Sequence, residues 1–114
     1  MIPKFRTWNS ETKEIEVFQT YEEISELFLA LSADDGFYSI MQSTCLFDKN
    51  GKEIFEGDIV LVLDSPYTVF YDNEKGSYRL KPHDDRWNVD YMSNFAHSGN
   101  FEVVGNIYEN KEQL

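Results

Sequence analysis

Residues 48–60 read DKNGKEIFEGDIV, the most patterned run in the chain. Acidic residues, an amide and two glycines crowd together here, as they do in metal loops, phosphate loops and tight bends between strands. Spacing decides among the three. An EF-hand loop starting at Asp48 needs an oxygen ligand at its fifth position and glycine at its sixth. Lys52 and Glu53 stand there instead. A phosphate cradle needs clustered glycines that lead into a helix. Gly51 and Gly57 lead into strand-like runs, and Asp48, Glu53, Glu56 and Asp58 would repel an anion. The remaining reading is architectural. Asn50-Gly51 between apolar flanks marks a tight turn, because both residue types tolerate positive φ. Gly57 supplies a bend or bulge ahead of a strong strand, DIVLVL at 58–63. Ile54 and Phe55 are expected to pack inward, and the Asp48 and Asp58 carboxylates to bond nearby backbone amides in the turns.

Downstream, Pro66 ends that strand or marks the loop beyond it. YTVFY (67–71) and SYRLK (77–81) flank DNEKG, a second glycine-containing hairpin loop. RWNVDYM (86–92) is a weaker strand and NFAHSGN (94–100) a loop. FEVVGNIY (101–108) is a last strand broken at Gly105, ahead of Asn106. Short strands at this spacing suggest a small antiparallel barrel. Upstream, KFRTW (4–8) and EIEVF (14–18) alternate as a β-hairpin with a longer loop. Thr20 and Glu23 stand at capping-box spacing. Ile24, Leu27, Phe28 and Leu31 then form one apolar stripe of a helix, for packing on a sheet, with a partner groove as the lesser reading, and Gly36 ends it. FYSIMQ (37–42) returns to strand. The expected fold is mainly β with one α-helix, a single domain over 1–114. Its subdomains are a β-hairpin, helix and strand over 1–44 and a small β-barrel over 45–114.

Composition narrows the function classes. The chain has 114 residues, 41% hydrophobic, with nine Phe, seven Tyr and two Trp, enough for a core without disulfide or metal. Its net charge is −11 and only ten Lys and Arg are present, so the molecule as a whole repels phosphate. One cysteine, Cys45, forms no internal disulfide, which places the chain in a reducing cytoplasm. No run reaches the length of a signal core or a membrane span. Catalysis finds no coherent set. Cys45 with His83 or His97, and Ser98 beside His97, lack any nucleophile pattern. Zinc would need four ligands, and HDD at 83–85 reads as a solvated polar loop. No enzyme, cofactor or metal is expected. A stacking face for single-stranded nucleic acid is conceivable, interleaving Tyr67, Tyr71, Tyr78 and Trp87 with Lys75, Arg79, Lys81 and Arg86. Alternation of residues between two sheet faces is the competing account of the same pattern.

Three segments, IPKFRTW (2–8), MQSTCLFDKNGKEIFEGDIVLV (41–62) and VVGNIYEN (103–110), occur in an order that resembles the YopX family of phage and prophage proteins. The chain departs from the family pattern at Cys45, where glycine is usual. If that glycine held a positive φ, Cys45 is strained or the turn differs. The resemblance implies a mostly β fold with an SH3-like barrel in the C-terminal half, a phage or prophage origin and a bacterial cytoplasm. It supplies no catalytic residues. The expected function is a non-enzymatic accessory protein that binds a host or phage protein. One alternative is an acidic antagonist that mimics nucleic acid; another is a single-strand binder using the aromatic and basic face. A homo-oligomer is compatible with either.

Overall fold

A computed structural model describes residues 4–32, 36, 38–62, 64–84, 86, 89–91 and 101–109. The chain divides into two compact units, Met1–Ser43 and Thr44–Leu114.

In the first unit, β1 (Phe5–Asn9) lies between β2 (Glu14–Phe18) and the first part of β3 (Tyr38–Phe47), antiparallel to both. Trp8 stands opposite Ile15 on one side and Ser39 on the other. The β1–β2 loop closes on Asn9, whose Oδ1 accepts from the amides of Glu11 (2.9 Å) and Thr12 (3.1 Å). Lys13 takes the positive φ that completes it, 63°. The helix, α1 (Tyr21–Ser32), starts on the expected capping box. Glu23 N–H donates to Thr20 Oγ1 at 3.1 Å, and Glu23 Oε1 accepts from Thr20 N–H at 3.2 Å. Its apolar stripe is only half used. Ile24 and Leu27 are buried, but Phe28 is 54% exposed and meets Phe5 edge-on at 6.1 Å. Successive helical residues stand about 100° apart, so Leu27 and Phe28 mark opposite margins of the stripe. The helix is rolled toward Leu27.

The second unit starts within β3. Beside the last part of β3 runs β4 (Glu53–Phe55). A five-stranded sheet follows: β5 (Asp58–Val62), β6 (Ser65–Asp72), β7 (Ser77–Pro82), β8 (Asp90–Tyr91) and β9 (Phe101–Asn106). Its order is β8-β7-β6-β5-β9, with every registered pair antiparallel. Ile54, Val60, Val62, Val69, Leu80 and Phe101 form the core of this half-barrel, with Leu46, Tyr67, Tyr78 and Val103 packed around them. The chain is therefore mainly β with one helix.

Three details differ from the sequence-based expectation. Pro66 lies inside β6, opposite Leu61, and does not end β5. Its missing N–H costs little, because the β6–β7 ladder ends at Tyr67 and Pro82, and the Pro66 carbonyl still accepts from His83 N–H. The 86–92 strand shrinks to Asp90–Tyr91 among the described residues. The break in β9 is a bulge at Val104: Ile59 faces Gly105 while Val60 faces Val103. The expected loop at 94–100 lies outside the described residues.

Candidate functional site

The quoted motif is a scaffold tied to the last strand. Asp48 Oδ1 accepts from the amides of Asn50 (2.9 Å) and Lys52 (2.8 Å). Gly51 N–H donates to Asp48 O, and Asp48 N–H to Lys52 O. Gly51 carries the turn's positive φ, +82°, so the loop is a three-residue one ending in a glycine bulge rather than a two-residue Asn-Gly hairpin turn. Asp48 Oδ2 reaches across to accept from Val103 N–H at 3.0 Å. Burial of Asp48 pushes its pKa up. The amides of Val103, Lys52 and Asn50 and the charge of Lys52 outweigh that and hold it below 3.8. Gly57, with φ +87°, supplies the bend. Its N–H donates to Val69 O and its carbonyl accepts from Ile107 N–H. Fully buried Asp58 accepts from Phe55 N–H through Oδ2 at 2.8 Å. Asn106, opposite Asp58, accepts from the amides of Tyr108 and Glu109. Cys45 has φ +65°.

The aromatic and basic set is divided by the sheet. Tyr71 pairs with Tyr78, Val69 with Leu80 and Phe70 with Arg79. Directly paired residues share a face and alternate along each strand. Tyr67, Tyr71 and Tyr78 therefore stand on the core side with Val69 and Leu80, and Arg79 and Lys81 stand on the other. Tyr71 and Tyr78 meet edge-on at 5.1 Å. Burial, then the charge of Glu56, pushes the Tyr78 phenol up to about 12. Arg79 Nη1 donates to Asp72 Oδ2 at 2.9 Å, which holds the Asp72 carboxyl low. Arg86 is bound to Asp84 through Nε and Nη2, the latter at 2.6 Å. Lys81 is exposed, and Trp87 lies outside the described residues. The geometry thus joins the three tyrosines, separates them from the cations, and pairs Arg79 and Arg86 with carboxylates.

His83 Nε2 lies 2.7 Å from Thr68 Oγ1, and burial pushes its pKa down. Asp85, His97 and Ser98 are outside the described residues. Among the described residues, no group of three or more His, Cys, Asp or Glu could hold a metal ion. None of their helices is long and apolar enough to cross a membrane.

Among the described residues the strongest apolar surface feature lies in the first unit, on the helix whose stripe had a partner groove as its lesser reading. Tyr21, Phe28 and Leu29 are 69, 54 and 72% exposed along α1, and Ile40 is 39% exposed on β3. From Glu14 to Phe47 the chain has no Lys, Arg or His, while Glu14, Glu16, Glu22, Glu23 and Glu26 are all present. The signal was legible as a long cation-free run. A groove of about 200 Å³ opens between α1 and the sheet, lined by Glu16, Phe18, Glu26, Leu27, Ala30, Leu31 and Tyr38.

A helix beside the β2-β1-β3 strands, followed by a half-barrel laced to its last strand by the Asp48 turn, defines a small β-rich protein whose diagnostic residues are structural. The chain belongs to the YopX protein family, whose model matches residues 4–114. The resemblance carried by the three segments is thereby confirmed. The chain is also similar to protein EF1440 from Enterococcus faecalis, known from its crystal structure. The identity is 28% and the TM-score 0.66, over 100% of this chain and 99% of that one. No curated protein matches the chain significantly.

Proposed function

We propose that the chain is a non-enzymatic phage or prophage accessory protein that acts in the bacterial cytoplasm by binding another protein. One observation carries this reading: large apolar side chains stand exposed on the first unit inside a field of carboxylates. Exposed apolar groups with a polar rim fit a protein interface, and the acidic field selects a basic partner and steers its approach. The pairing of Arg79 and Arg86 with Asp72 and Asp84 leaves little cationic surface for phosphate, which supports protein over single-stranded nucleic acid. The half-barrel supports an SH3-like framework for the second unit. The test is retention of bacterial lysate proteins on the immobilised chain, identified by mass spectrometry. The comparison is with a Phe28→Ser, Leu29→Ser double variant of matched melting temperature. A defined protein that the parent retains and the variant loses supports the reading. Equal retention by both overturns it.

A further inference from the structure

We infer that the groove beneath α1 receives one aliphatic side chain from a partner segment that carries Lys or Arg beside it. This inference rests on the reading of the chain as a protein-binding module and names what that partner must present.

Size comes first. At about 200 Å³ the groove is smaller than the roughly 300–1,000 Å³ of sites for drug-sized ligands. It is of the scale of a single side chain. Ala30, whose side chain is a single methyl group, is part of its lining. Chemistry follows. Leu27, only 4% exposed, lies in the lining with Phe18 and Leu31, so an aliphatic group meets apolar contacts there. Glu16 and Glu26 belong to the same lining and are themselves exposed. A Lys or Arg stem lies on apolar surface while its charged head reaches a carboxylate. The two glutamates therefore fix the residues that flank the aliphatic one. Phosphate-bearing ligands are repelled by the same carboxylates. So is the first unit of a second copy, which would set like charges together.

The test uses labelled peptides and the full chain, read by fluorescence anisotropy. One peptide places leucine between arginines, and its control replaces the leucine with serine. Burying a leucine-sized side chain is worth roughly 10- to 100-fold in affinity, so the leucine peptide is expected to bind at least about tenfold tighter. Ala30→Trp fills the opening and is expected to abolish that preference while charge-driven binding of both peptides persists. Glu16→Gln with Glu26→Gln is expected to weaken both peptides and flatten their salt dependence. Should Ala30→Trp lower the melting temperature, amide NMR shifts at Ala30 and Tyr38 on adding the leucine peptide to the parent replace it as the readout. Equal binding of the two peptides, or shifts that avoid the groove, overturns the inference. A parent dimer that Ala30→Trp returns to monomer also overturns it, since a second copy then fills the site. If the preference is absent but the Phe28→Ser, Leu29→Ser variant still loses its lysate partner, the groove is wrong and the protein-binding reading stands. If the preference is absent and that variant retains the partner as the parent does, both readings fall.

Discussion

Asp48 shows how much one residue can organise. Its two oxygens serve three backbone amides on two segments far apart in sequence, Asn50 and Lys52 on one and Val103 on the other. Asp48→Asn keeps one acceptor but sets an NH₂ against a backbone N–H. The expected cost is about 1–3 kcal/mol by denaturant titration. The pH dependence has a definite sign. The folded carboxyl titrates below 3.8, so its contribution is complete above the unfolded value near 3.8. It is lost as pH falls through the lower, folded value. The acid limb of the stability profile should be shallower in Asp48→Asn than in the parent. Two neighbouring positions of positive φ have opposite expectations. Gly57→Val forces a β-branched residue to φ +87°, at a cost of about 1–3 kcal/mol, and equal melting temperatures would sink the bend. Cys45 already bears such strain at φ +65°. Cys45→Gly relieves about 1–2 kcal/mol against a glycine entropy cost of about 0.5–1, so a small rise in the urea midpoint is expected.

Among the elements, those set by residues a few positions apart were legible in the sequence. The capping box of α1 needs only Thr20 and Glu23, and both bonds are present. Thr20→Ala should cost about 1 kcal/mol, and Thr20→Asp almost nothing, as melting temperatures would show. The Asp72–Gly76 loop is equally local: Asp72 Oδ1 accepts from Glu74 and Lys75 amides, and Gly76 N–H donates to Asp72 O. Features that depend on a partner strand were not legible. Whether Tyr71 shares a face with Tyr78 or with Arg79 hinges on hairpin register, and the pair Tyr71–Tyr78 settles it. Pro66 looked like a strand end because the sequence does not reveal where the β6–β7 ladder stops. The periodicity of α1 gave its stripe but not its roll, so the exposure of Phe28 came only with the structure.

For the whole molecule, charge is unevenly shared. All seven acidic residues between Glu14 and Asp35, counted as Glu14, Glu16, Glu22, Glu23, Glu26, Asp34 and Asp35, lie in a run without a cation, against a net −11 for the chain. Self-repulsion of this kind opposes compaction. Melting temperature should rise as salt shortens the Debye length from about 30 Å at 0.01 M to about 8 Å at 0.15 M. A flat response in differential scanning calorimetry would mean the repulsion is already balanced locally. The lacing of β9 has a further consequence, for biosynthesis. β5 pairs with β9 across more than a third of the chain, and Asp48 with Val103 across 55 positions. The ribosome delivers β9 after every strand it must join. Val60 and Ile54 must therefore wait, uncovered along one edge, until Phe101–Asn106 clears the exit tunnel. The first unit, whose registered strand pairs reach no further than Phe5 with Gln42, is free to form while the rest is still being made.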